Sequence, residues 1–140
     1  MALIRTDGVE REAELMQRLA VLPDELQAEV LRAQASVVTD AIRRSGERYR
    51  VRDTGMTLSS LREGKVKRDR RGDMSLYLRF EGKNKRGVRY AEIAFVNNYG
   101  TTKQSARPFV TEAVSASAEA AYEVAEKIYD DWVSAQERKG

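Results

Sequence analysis

Three sets of side chains in this 140-residue chain have the type and spacing to do chemistry. Arg68, Arg70 and Arg71 crowd one short turn, and Lys83, Lys85 and Arg86 crowd another. Guanidinium groups pair bidentately with phosphate or carboxylate, and ammonium groups act as compact point charges. Asp53, Thr54 and Gly55 form an Asp-Thr-Gly string that could hold a carboxamide or a metal ion. No second acidic cluster at ligand spacing accompanies it, so a simple turn is the reading these residue types favour. Thr54, Ser59 and Ser60 supply hydroxyls, but the chain has no histidine to serve as their base. A Ser–Lys arrangement would need a desolvated lysine, and Lys65 and Lys67 stand in a highly charged stretch. The absence of cysteine removes thiolate nucleophiles, disulfides and Cys-based zinc sites. The expectation is a protein that is not an enzyme and uses no cofactor and no metal.

Charge is the stronger signal. Charged residues make up 34% of the chain, above the roughly 25% usual for globular domains. The net charge of +3 hides an acidic–basic–acidic order. Residues 1–42 carry a net −4, residues 43–90 a net +10 and residues 91–140 a net −3. A basic middle attracts nucleic acid through counterion release. It equally sets register against acidic neighbours in an assembly, or simply protects the edges of a solvated hairpin. The length fits one domain over 1–140, enough to bury roughly two thirds of the unfolded surface. No apolar run approaches the roughly 20 residues of a membrane span, so no membrane partner is expected. The N-terminus turns acidic too early for a signal peptide, which points to synthesis in the cytoplasm.

These side chains must be positioned by elements that periodicity outlines. Residues 9–20 read as a short amphipathic helix on Val9, Ala13, Met16 and Ala20. Leu22-Pro23 breaks it. Asp24 then reads as the cap of a second helix, with Gln27 as its capping-box partner and Ser45-Gly46 as its stop. The second helix has its stripe at Leu26, Val30, Ala33, Val37 and Ala41. Residues 47–61 connect. Residues 64–68 alternate weakly, 69–73 turn, and 74–80 put Met74, Leu76, Leu78 and Phe80 on one strand face. A polar loop at 81–87 follows, and 88–96 is expected as the strongest strand, with a bulge where its alternation slips. The two basic tips are expected on one side of the sheet, with Tyr77 the one aromatic near them. Gly100 allows a backbone turn with positive φ, and Pro108 bars Arg107 from the helical region and opens the last helix. The stripe of that helix is Val110, Val114, Ala118, Ala121, Ala125, Ile128 and Trp132, and its alanines allow a close neighbour. Trp132 and Tyr129 are either core or interface anchors. No internal repeat is visible. The organisation is 1–23, a short helix and break; 24–46, a helix; 47–100, a β region with basic hairpins; and 101–140, a loop and long helix. The predicted class is α+β: a small antiparallel sheet of three to four strands packed by two N-terminal helices and one long C-terminal helix.

Residues 90–101, YAEIAFVNNYGT, followed by ARPFV at 106–110, resemble the tail-completion, or minor tail component, family of long-tailed bacteriophages (gene-product-ten-like, gpZ-like). In that family a strand of the type AEIAFxxEYGTS leads through a short loop into ARPF and a long helix. Asp53, Thr54, Gly55, Ser60 and Leu61 match a second family element. Asn98 stands where the family usually has Glu, and Thr57 where a larger apolar residue is common. The resemblance implies a virion structural protein at the head-proximal end of the tail, acting in head–tail joining. It implies the tail terminator, tail tube and connector or head-closure proteins as partners, and copies arranged in a ring. Assembly would take place in the host bacterial cytoplasm, with a weak, non-specific contact to packaged DNA through the basic middle. On this reading Arg68, Arg70, Arg71, Lys83, Lys85, Arg86, Tyr99, Thr101, Arg107 and Trp132 face partners. Asp53, Thr54, Gly55, Gly100, Pro108 and Phe109 are structural. The alternative is a nucleic-acid-binding module on residues 43–90.

Overall fold

Three stretches with sustained helical spacing become three long helices: α1 (Ala2–Ala20), α2 (Asp24–Arg48) and, at the C-terminal end, the last helix (Phe109–Lys139). The computed structural model describes residues 2–51 and 54–140. Between α2 and the last helix lie α3 (Thr54–Ser59), the short strands β1 (Leu61–Glu63), β2 (Lys67–Arg68), β3 (Met74–Ser75) and β4 (Leu78–Phe80), and α4 (Tyr90–Tyr99); the last helix is α5. The chain is therefore mixed helix and strand, with helix predominant.

Pro23, with φ −56° and ψ 152°, precedes the first turn of α2, where Asp24 and Glu25 complement the helix dipole. Asp24 is thus the first helical residue and not the cap. Gln27, expected to complete a capping box, instead donates from Nε2 to the Leu22 carbonyl at 2.9 Å and closes the end of α1. Nor does Gly46 stop α2, which runs on to Arg48. A Cβ at Gly46 would lie 2.5 Å from Leu58 Cδ2, so glycine lets α3 pack directly on the helix.

α2 and α5 form an antiparallel spine. Arg48 lies 3.6 Å from Glu112 at one end, and Gln34 Nε2 donates to the Ala121 carbonyl at 3.0 Å further along. Small residues line the contact: Ala35 and Thr39 on α2, Ala113, Ser117 and Ala125 on α5. They let the backbones approach closely. For the same reason the upper part of the expected α5 stripe is rotated by one residue: Phe109, Ala113 and Ser117 are buried, while Val114 is 49% exposed. α1 runs parallel to α5, because Arg11 pairs with Glu119 and Arg18 with Glu126, seven residues further along both helices.

The expected sheet of three to four strands is two two-stranded antiparallel ribbons, successive stretches of one hairpin. Leu61 pairs with Phe80 and Glu63 with Leu78 in the first, Lys67 with Ser75 and Arg68 with Met74 in the second. The register slips by one residue between them, so residues 65 and 66 oppose residue 76 alone, a bulge. The expected strand at 88–96 is instead α4. Its buried residues, Tyr90, Ala94, Asn97 and Asn98, follow helical spacing. The β-branched and aromatic content suggested a strand, and tertiary packing overrode it. The slip in alternation at 91–93 was the helical signal.

Two apolar clusters sit at opposite ends of the spine. One gathers Ile42, Val51, Leu58, Leu61, Ala94 and Ala113 around Phe109. The other joins Leu15, Leu22, Val30 and Ala125, with Trp132 and the rings of Tyr122 and Tyr129 packed against it.

Candidate assembly and ligand surfaces

The corner from α4 into α5 is held by side chains that bond to backbone. The first N–H groups of a helix lack intrahelical partners. Here Asn98, on a different helix, supplies them: its Oδ1 accepts from Val110 N–H at 3.0 Å and Thr111 N–H at 3.1 Å. Its Nδ2 donates to Thr111 Oγ1 at 2.9 Å. Gly100 ends α4 with φ 76°, and a Cβ there would lie 2.7 Å from the Ala106 nitrogen. Pro108 precedes the first turn as the cap residue rather than lying inside it. Phe109 is fully buried and meets Phe80 edge-on at 6.2 Å.

Two residues expected to face partners are engaged internally. Thr101 Oγ1 accepts from the N–H groups of Lys103 and Gln104. The Arg107 N–H donates to the Asn97 carbonyl at 2.6 Å, and its guanidinium donates to the Arg50 carbonyl at 2.9 Å. Tyr99 is different. It is 64% exposed and lies against Phe95, 62% exposed, with ring centroids 4.8 Å apart. Sequence reasoning missed Phe95 as a partner of Tyr99, because the expected strand ended at residue 96 and left residue 99 beyond it. An i, i+4 helical pair brings the rings together directly. Trp132 is partly buried against the second cluster, 6.4 Å from Tyr129.

A second surface is an open apolar groove of about 740 Å³ between α1, α2, α5 and the hairpin turn. Leu15, Met16, Leu31, Val114 and Tyr122 contribute to its walls. On its outer side Arg11 grips both Glu119 oxygens, at 2.7 and 2.8 Å, and its guanidinium lies 3.8 Å from the centre of the Tyr122 ring. Bonding to Arg11 holds the Glu119 carboxyl below the usual range and raises the guanidinium's own value. Beside Arg48, the Glu112 carboxylate and burial raise the Tyr49 phenol.

The basic tips are separate rather than side by side. One is the hairpin turn and the other follows β4 at the hairpin base, with the strand stretch 74–80, roughly 20 Å of rise, lying between them. Arg68 is tied down, to Asp24 at 2.8 Å and to the Gly72 carbonyl at 2.8 Å. Arg70, Arg71, Lys83, Lys85 and Arg86 are exposed and make no ion pair among the described residues.

Both tips have the same construction. Asp69 Oδ1 accepts from the N–H groups of Arg71 and Asp73 at 2.8 and 2.9 Å, and Asn84 Oδ1 accepts from those of Arg86 and Val88 at 2.9 and 3.0 Å. Asp69 N–H donates to the Asp73 carbonyl as Asn84 N–H does to Val88, both at 2.9 Å. Gly72 and Gly87 take φ 87° and 82°. The strings DRRG and NKRG carried this repeat in the sequence. Four residues fall far below the length of a domain-scale repeat, so it does not show as an internal repeat of the chain.

Two of the hydroxyl candidates are also engaged: Ser59 Oγ donates to the Gly55 carbonyl and Ser60 Oγ to that of Thr57. Asp53 lies outside the described residues. Thr54 and Gly55 begin α3 instead of forming a turn, and a Cβ on Gly55 would meet nothing within 4 Å. Among the described residues no group of three His, Cys, Asp or Glu side chains is placed to hold a metal ion, and no helix is long and apolar enough to cross a membrane. Comparison with family models, with curated proteins and with solved structures finds no match to this chain.

Proposed function

We propose that this chain is a virion structural protein of a long-tailed bacteriophage, a tail-completion component of the neck that works by protein–protein contact and catalyses nothing. The observation that carries the reading is the exposed Phe95–Tyr99 pair on a corner that Asn98, Gly100 and Arg107 make rigid. Paired exposed aromatics on a preorganised scaffold are what interface anchors look like. The same corner is the segment that resembles the tail-completion family. In this reading the neighbours are the tail terminator, tail tube and head-closure proteins, and copies of the chain form a ring. The alternative, a nucleic-acid-binding module on residues 43–90, draws on the two basic turns.

Deletion of the gene from its phage, with electron microscopy of the lysate, tests the proposal. Filled heads beside detached or aberrant tails are expected. Normal infectious particles overturn it. Complementation with Phe95→Ser/Tyr99→Ser refines the test: the variant folds, because both side chains are exposed, yet fails to restore infectivity.

A further inference from the structure

We infer that the outward face of the hairpin is a nucleic-acid contact surface, on which two copies of one basic turn hold phosphates and Tyr77 offers a stacking platform between them. Each turn satisfies its own backbone through an Asp or Asn side chain and a left-handed glycine. What remains for a ligand is a pair of cations at the two middle positions: Arg70 with Arg71, and Lys85 with Arg86. Building the same cationic tip twice, with no carboxylate partner among the described residues for any of the four, leaves their charge available to an anion.

The strands between the tips point the same way. Arg62 stands directly opposite Arg79 in the β1–β4 ribbon. Like charges directly opposite across an antiparallel pair destabilise it; Arg79 is offset by Glu81 at 3.0 Å, while Arg62 donates only to the Ser59 and Leu61 backbone carbonyls and has no carboxylate partner among the described residues. A polyanion laid on this face supplies the counter-charge that Arg62 lacks. Tyr77, 64% exposed, lies opposite Gly64, whose N–H donates to its carbonyl at 2.8 Å. Glycine puts no side chain over the ring. The strand stretch 74–80 between the tips alone rises roughly 20 Å, a length on the scale of one turn of B-DNA at about 34 Å. Evenly spaced phosphates and a stackable base fit cations at intervals around an uncovered aromatic; an acidic protein surface offers neither.

The inference is independent of the assembly reading, and binding measurements on the purified full chain test it separately. Fluorescence anisotropy with a 20-base-pair duplex and the matching single strand, over a series of salt concentrations, is the measurement. Four tip cations predict a plot of log affinity against log salt falling with a slope of about −3.6 on duplex. Arg70→Gln/Arg71→Gln flattens it by about 1.8, and Lys85→Gln/Arg86→Gln does the same. Tyr77→Leu weakens single-strand binding by at least about fivefold and spares the duplex. Absence of binding at low salt overturns the inference, as do slopes unchanged in both tip variants. Equal affinity for polyglutamate of matched charge overturns the nucleic-acid assignment, and so does wild-type self-association that the tip variants abolish. A phage that assembles normally without the gene, while the slopes hold, removes the assembly reading and leaves this one.

Discussion

The two ends of the α2–α5 spine are built by different means. At the Phe109 end a fully buried ring is surrounded by α3, α4 and the hairpin, and the chain is pinned by the Asn98 cap, the Gly100 turn and the Arg107–Arg50 bond. At the Trp132 end, α1 rests on α5 through a smaller apolar cluster and two exposed ion pairs, beside an open groove. The first end specifies one geometry through directional bonds. The second is held by contacts that tolerate sliding. The exposed Phe95–Tyr99 pair belongs to the first. α1 belongs to the second and should open first, since local stability follows buried contacts.

The sharpest way to break this contrast is to hollow out the first end. Phe109→Ala should cost about 3–5 kcal/mol, read from the midpoint of urea unfolding, because a fully buried aromatic leaves a cavity. Leu15→Ala in the second cluster should instead release α1 locally, seen as faster amide exchange in α1 with α4 still protected. Equal, global effects of the two would abolish the distinction. Next in size is Gly100→Ala. The left-handed φ of 76° and a Cβ 2.7 Å from the Ala106 nitrogen act together, so a loss of roughly 2–3 kcal/mol is expected. A thermal melt measures it, and a loss below about 1 kcal/mol would mean that the corner is pliable.

How much of this was legible in the residues differs between the two ends. Helix was legible in all three long segments, but α1 starts at Ala2 instead of residue 9 and its expected stripe is off: Ala13, Met16 and Ala20 are exposed while Leu15 is buried. The alternation of Met74, Leu76, Leu78 and Phe80 separates half-buried positions from the exposed Tyr77 and Arg79, although Ser75 is half-buried too. The corner was legible in part: Gly100 and Phe109 have the structural roles their types suggested. Other features were hidden for physical reasons. A run of Tyr, Ile, Phe and Val has strand character by composition, and only the positions buried in three dimensions show that 90–99 is a helix. The rotation of α5 escaped notice because the tightest contact is made by Ala and Ser, which a hydrophobic pattern ignores. The Asn98 cap joins residues 12 and 13 apart on different helices, beyond any local capping rule.

That cap gives the next prediction. Asn98→Ala leaves two first-turn N–H groups of α5 without their acceptor in a buried setting, at a cost of about 1–2 kcal/mol. Asn98→Asp keeps an acceptor there and adds favourable charge at a helix N-terminus. It should stay within about 0.5 kcal/mol of the parent in a denaturant series. If Asn98→Asp and Asn98→Ala destabilise the fold equally, the amide's donation to Thr111 outweighs the cap. Thr57 sharpens the picture in the opposite direction. It is fully buried, and its Oγ1 has no hydrogen-bond partner. Thr57→Val keeps the shape and removes the orphaned hydroxyl, so it should stabilise the first end by about 1 kcal/mol.

The smallest expected effect belongs to the second end, and pH reveals it. Bonding to Arg11 holds the folded-state carboxyl of Glu119 below its ordinary value. A carboxyl lowered in the folded state stabilises the fold above the unfolded value of about 4.3 and loses that contribution as pH falls through the lower folded value. Acidification from about pH 5 to pH 3 should therefore loosen α1 from α5 before the Phe109 end responds. The one tryptophan, Trp132, lies in the cluster against which α1 packs, so its fluorescence should shift first. Glu119→Gln should remove the acid-sensitive part of that shift and leave the rest. Because Arg11 and Glu119 are both exposed, added salt should shrink the effect as well. A shift unchanged by either would mean that apolar contacts alone hold α1 in place, and that the ion pairs set only its parallel alignment with α5.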